Sequence, residues 1–175
     1  MTSPEQFQAL LNASEGVRVE FKAAKNNYHF EDLIRYCVAL ANEGGGRIVL
    51  GVTDKRPRQV VGSRAFSEPG RAEAGLFQKL RQRIQIEEYF HEGKRVLIAH
   101  VPGRLPGTAW QYQGSFLMRA GDALEAMTDE QLRHIHEETG PDFSAEICPG
   151  AKIGDLDPAA VEVLRSLWQR KSGRE

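Results

Sequence analysis

Three carboxylates and one lysine are the residues of this chain best suited to chemistry. Glu15 precedes the run Val17-Arg18-Val19-Glu20-Phe21-Lys22, and Asp54 closes the run Arg47-Ile48-Val49-Leu50-Gly51-Val52-Thr53-Asp54. Mg²⁺ and Mn²⁺ take oxygen ligands, which carboxylates supply. Phosphodiester cleavage needs the attacking and leaving oxygens stabilised, and bound metal can do that. A lysine beside them neutralises charge building on the phosphate. Strand alternation puts Glu20 and Lys22 on one face, where they can enter one site. The same spacing equally suits a solvated Glu–Lys pair on a strand, a carboxylate in a loop at Glu15 and a turn at Asp54.

The elements that must position these residues are legible from periodicity. Val17, Val19 and Phe21 alternate with Arg18, Glu20 and Lys22, which predicts a half-buried strand with a charged face. Phe30, Leu33, Ile34, Cys37, Val38 and Ala41 recur at helical spacing, predicting a helix over 30–42. Gly44-Gly45-Gly46 should stop it and turn into a buried strand over 47–53. The glycines follow a helix rather than open one and lack a Lys-Ser/Thr ending, so they do not fit a phosphate-binding loop.

Before this core, Pro4 to Leu11 reads as a short helix capped by Ser3. After it come a turn at 55–59, a short strand at Val60-Val61-Gly62, and a helix around Leu76 to Ile84 carrying Lys79, Arg81 and Arg83. Hairpins are expected over 84–101, turning at 91–93, and over 108–119, turning at Gln113-Gly114. Thr128 opens a helix with a capping-box pattern. Asp157-Pro158 opens a last one with Val161, Leu164 and Trp168 on a stripe. Strands alternating with helices, then hairpins, imply an α+β fold: a mixed, largely antiparallel sheet with packed helices.

The totals narrow the class. The 175 residues suffice for one domain, expected over 1–140, with a loop-and-helix appendage over 141–175. No apolar run reaches the length of a membrane span, and the opening Met-Thr-Ser-Pro-Glu-Gln does not read as a signal peptide. Cys37 and Cys148 are far apart, and Cys37 falls on a core stripe, which fits a reducing cytoplasm. The net charge of -1 hides an asymmetry. Residues 55–119 carry 12 Lys/Arg against 5 Asp/Glu, and residues 120–175 carry 6 against 12. The middle suits a polyanion and the tail does not. Trp110, Tyr112 and Phe116 could stack bases or simply pair across strands. His134 and His136 fit no zinc spacing.

Taken as an ordered set, several strings resemble the Schlafen-type AlbA domain. They are Val19-Glu20-Phe21-Lys22, Ala39-Leu40-Ala41-Asn42-Glu43-Gly44-Gly45-Gly46, Ile48 to Asp54 with Val61-Gly62, Phe116 to Gly121, and Met127 to Glu130. The resemblance covers about residues 5–137 and implies nucleic-acid binding. In the Schlafens that cut transfer or ribosomal RNA, three carboxylates form the active site, and Glu15, Glu20 and Asp54 match them. Lys22 matches the accompanying lysine. The resemblance therefore implies a metal-dependent endoribonuclease using Mg²⁺ or Mn²⁺ at these carboxylates, on structured RNA such as transfer RNA. Arg18, Lys25, Lys55, Arg56, Arg58, Lys79, Arg81, Arg83 and Arg119 are the candidates to hold the nucleic-acid backbone. The vertebrate nucleases clamp RNA between two tandem copies; this chain has one, so a homodimer would supply the second. The competing expectations are a non-catalytic DNA- or RNA-binding module of a regulator or defence protein, and a scaffold whose acidic tail docks a protein.

Overall fold

The computed structural model describes residues 2–13, 18–121, 123–138, 150 and 152–172. The chain divides into two compact units, Met1–Gly140 and Pro141–Glu175. In the first, a four-stranded sheet is built from β1 (Val19–Lys22), β2 (Gly45–Leu50), β3 (Gln85–His91) and β4 (Lys94–Pro102), in the order β1-β2-β4-β3. The β1–β2 pair is parallel and the other two pairs are antiparallel. Parallel neighbours need a crossover, and helix α2 (Phe30–Asn42) provides it. A separate ribbon pairs β5 (Leu117–Ala120) with β6 (Ala123–Ala126).

Each face of the sheet has its own core. Helix α1 (Pro4–Asn12) lays Phe7 and Leu10 against Phe21, Val49, Val96 and Ile98. Helices α2 and α3 (Pro69–Leu80) cover the opposite face, where Leu33, Ile34, Val38 and Leu76 meet Ile48, Leu50, Leu97 and Ala99. Helix α4 (Asp129–Glu137) carries the expected capping box: Thr128 accepts from the Gln131 N–H, and the Gln131 side chain accepts from the Thr128 N–H. In the second unit a 3-10 turn, Ile153–Asp155, precedes α5 (Pro158–Ser172). The expected stripe of Val161, Leu164 and Trp168 is exposed there, at 36%, 69% and 59%.

Several boundaries differ from expectation. β1 begins at Val19; residues 14–17, including Glu15 and Val17, lie outside the described residues. β2 starts inside the glycine run and ends at Leu50, where Gly51 takes φ +102. Residues 60–62 form one bridge, Val52 to Val60, rather than a strand. Helix α3 begins at Pro69, earlier than its apolar residues suggest, and stops at a left-handed Arg81. The hairpin expected over 108–119 is reduced to a single bridge, Tyr112 to Ser115, around the expected Gln113-Gly114 turn.

Candidate nucleic-acid site

Glu20 and Lys22 share one face of β1, as alternation requires, but that face is not an open charged surface. β1 is an edge strand, and Glu20 is only 7% exposed. One Glu20 oxygen lies 2.7 Å from the Lys22 ammonium and the other 3.2 Å from the Arg119 guanidinium. Lys22 also lies 3.9 Å from Asp54, which is open to solvent just past β2. The ammonium sits 5.0 Å from the centre of the Tyr36 ring on α2. Burial alone would lower the Lys22 pKa; hydrogen bonding to Glu20, then to Tyr36, outweighs it and holds the value above the usual lysine range.

Arg119 reaches Glu20 because the end of α2 holds β5 in place. The Asn42 amide donates to the carbonyls of Trp110 and Leu117, both at 2.9 Å, and its oxygen accepts the Trp110 N–H at 2.7 Å. Glu43 accepts the Arg119 N–H at 2.6 Å. Asn42 thus satisfies backbone groups that a hairpin ladder would otherwise pair, which accounts for the missing hairpin. Tyr28 packs nearby. Burial, and then the neighbouring Tyr36, Asp32 and Glu20, push its phenol pKa far up. Its buried hydroxyl has no hydrogen-bond partner among the described residues.

The cluster therefore unites Glu20, Lys22, Asp54 and Arg119, while Glu15 lies outside the described residues. Glu20 and Asp54 are hard oxygen donors, and Mg²⁺ is commonly held through one or two carboxylates with waters and substrate phosphates. Among the described residues, no group of three His, Cys, Asp or Glu side chains could hold a metal ion. Sequence reasoning assigned no part to Tyr36, Asn42 or Glu43. The available signal was Asn42-Glu43, two polar residues at the end of an apolar helix.

The candidate backbone-binding residues divide into several groups. Arg56 and Arg58 donate to the carbonyls that end α1: Arg56 to Asn12 and Ala13, Arg58 to Leu11 and Ala13. Arg58 also stacks 4.0 Å above Phe21. These two arginines fasten α1 to the sheet, a favourable use of cations at a helix C-terminus. Arg119 is taken up by Glu20. Arg18 donates to the Gly44 carbonyl at 3.2 Å. Lys25, Lys55, Lys79, Arg81 and Arg83 are at least partly exposed. Lys25 lines two hollows, of about 750 and 500 Å³, that share Val61 and Lys94; the larger adds Arg64 and an Arg95 already paired with Glu88, and the smaller adds Arg58 and Glu92. Lys25, Arg64 and Lys94, all exposed, make these hollows a basic track.

A mixed sheet sandwiched by helices, with a carboxylate–lysine cluster on its edge strand and cations beside it, defines a domain suited to meeting a phosphate backbone. The chain belongs to the Schlafen AlbA_2 family, whose model matches residues 15–128; membership points to a nucleic-acid-binding domain. The fold is similar to the crystal structure of the DIP2311 protein from Corynebacterium diphtheriae. That likeness has a TM-score of 0.58 at 19% identity and covers 93% of this chain. The chain spans 37% of that protein's length. A further similarity is to the solution structure of the N-terminal domain of a putative ATP-dependent DNA helicase RecG-related protein from Nitrosomonas europaea. Its TM-score is 0.42 at 21% identity, covering 66% of this chain and 90% of that one. No curated protein matches the chain. Among the described residues no helix is long and apolar enough to cross a membrane.

Proposed function

We propose that this domain binds structured RNA, such as transfer RNA, and cleaves it with Mg²⁺ or Mn²⁺ at the Glu20–Lys22–Asp54 cluster. The observation that carries the reading is the Lys22 ammonium, 2.7 Å from Glu20 and 3.9 Å from Asp54, whose carboxylate is open to solvent. Asp54 and Glu20, with Glu15 as the family resemblance implies, would hold the ion. When bound, it would neutralise the scissile phosphate and stabilise the attacking and leaving oxygens. Lys22, steadied by Tyr36, offers its charge to a non-bridging phosphate oxygen. Arg119 orients Glu20. Lys25, Arg64 and Lys94 hold the flanking phosphates. A homodimer would place two such tracks on one RNA, and light scattering of the purified protein with and without RNA tests that.

A second reading has its own observation. Glu20 is buried and already satisfied by two cations, as suits a fastener between β1 and β5 in a domain that binds without cutting. One experiment separates the two. Purified protein is incubated with total transfer RNA and Mg²⁺ or Mn²⁺, with and without chelator, beside Asp54→Asn. Discrete fragments that need both metal and Asp54 are expected. A gel shift with intact RNA would leave the binding module standing. Equal cleavage by the wild type and Asp54→Asn would remove the cluster from the chemistry.

A further inference from the structure

The parallel pair β1–β2 has two ends. Lys22 and Leu50 lie opposite one another at the end leading to Asp54, and Val19 and Arg47 lie opposite one another near the other. At that second end lies a hollow of about 1130 Å³, on the scale of small-molecule sites, roughly 300–1,000 Å³. Helix α3 faces it with Gly70, Glu73, Ala74 and Phe77, at i, i+3, i+4 and i+7. Ala72 and Leu76, off that line, go to the core. Gly70 and Ala74 keep the helix wall recessed, and Phe77 stands 44% exposed.

Part of the opposite wall, at Gly44, Gly45, Gly46 and Gly103, is bare backbone. A Cβ on Gly46 would fall 2.2 Å from the Arg18 carbonyl oxygen, and one on Gly45 would fall 2.6 Å from the Gly103 nitrogen. The glycine run is therefore required by close backbone packing, and it leaves no side chain to fill the groove. Arg18, Arg47 and Arg83 also line it. Among the described residues Arg47 and Arg83 make no ion pair. Glu73, the one acid that lines the groove among the described residues, is held against the β3 backbone by the Ile86 N–H at 2.6 Å and keeps its charge, while Glu87 meets His100 at 3.0 Å. An exposed aromatic ring, a recessed floor and unneutralised guanidiniums are complementary to a base joined to a phosphate.

We propose that this groove binds a nucleoside phosphate, its base against Phe77 and its phosphate on Arg47 and Arg83. The site is separate from the carboxylate cluster and does not depend on RNA cleavage. A free mononucleotide and a nucleotide within an RNA strand offer the same chemistry, so the test uses both. The full chain is titrated calorimetrically with AMP, UMP, adenosine and inorganic phosphate, and by fluorescence anisotropy with a labelled RNA pentanucleotide. AMP or UMP should bind, with adenosine and phosphate each about ten-fold weaker or more. Phe77→Ala and Arg47→Gln should each weaken nucleotide binding about ten-fold. If only the pentanucleotide responds to these variants, the ligand is a nucleotide of a strand, and the groove still stands. Phe77 is exposed, so its truncation should fold; a thermal melt checks this, and Arg83→Gln provides an independent variant. The proposal is overturned if no probe binds, or if every affinity is unchanged by all three substitutions. Metal-dependent RNA cleavage is a separate readout, so either reading can fail alone.

Discussion

Glu20 and Asp54 look alike in the sequence and behave differently in the fold. Glu20 lies between two cations whose side chains are themselves 26% and 12% exposed. Replacing it with Gln leaves Lys22 and Arg119 facing each other half out of water. Glu20→Gln should cost about 2–4 kcal/mol of stability, read from urea melts. Asp54 has a side chain 58% exposed and, among the described residues, one long ion pair, to Lys22. Asp54→Asn should change stability by less than about 0.5 kcal/mol, which makes it the cleaner probe of chemistry. The raised pKa of Lys22 has a definite pH signature. Burial opposes the charge, but Glu20 and Tyr36 more than compensate, so the folded pKa lies above the unfolded one. The stability Lys22 contributes is complete below the unfolded lysine value, about 10.4. It is lost as pH rises through the higher folded value. Melting temperature followed from about pH 9 upward should fall less steeply in Lys22→Met than in the wild type.

Among elements, those governed by one strong period were legible, and those governed by polar side chains were not. The α2 stripe from Phe30 to Ala41 and the β-branched run of β2 each bury against the sheet core, so periodicity alone reported them. Helix α3 hid its first turns because Gly70, Ala72, Ala74 and Gly75 carry little hydrophobic signal, although Ala72 is core and Gly75 packs on Phe30. The β5–β6 ribbon was hidden for another reason. Asn42 takes the backbone of Trp110 and Leu117, so segment 108–119 cannot close on itself as a ladder. Asn42→Ala should orphan three buried backbone groups and destabilise by about 2–4 kcal/mol. It should also release β5, so amide exchange across 117–120 should accelerate more than exchange in β2 or β4. Uniform acceleration in all three strands would mean that Asn42 supports the whole sheet rather than the placement of Arg119. For the candidate site, Glu20 and Lys22 could be read from alternation. Tyr36 could not, because a ring off the apolar stripe gives no sign that it covers an ammonium.

For the whole molecule, charge must be counted in space rather than along the chain. The excess of Lys and Arg over 55–119 is real, but the fold uses much of it internally. Arg56 and Arg58 fasten α1, Arg95 donates to the carbonyls of Ser63, Ala65 and Phe66, Arg104 pairs with Glu138, and Arg119 with Glu20. Arg71 pairs with Glu68 at 2.8 Å on the surface. Lys25, which falls outside that stretch, lines both hollows of the track with Lys94. Nucleic-acid affinity should therefore follow the track. Every phosphate that the protein no longer neutralises takes about 0.7–0.9 off the slope of log affinity against log salt. Lys25→Gln combined with Arg64→Gln should lower the slope for transfer RNA by about 1.5. Arg71→Gln removes one charge from the same basic stretch and should leave the slope unchanged. Filter binding between roughly 50 and 300 mM salt decides the matter. If Arg71→Gln reduces the slope as much per charge as the double variant does, RNA is reading net charge rather than the track of Lys25, Arg64 and Lys94.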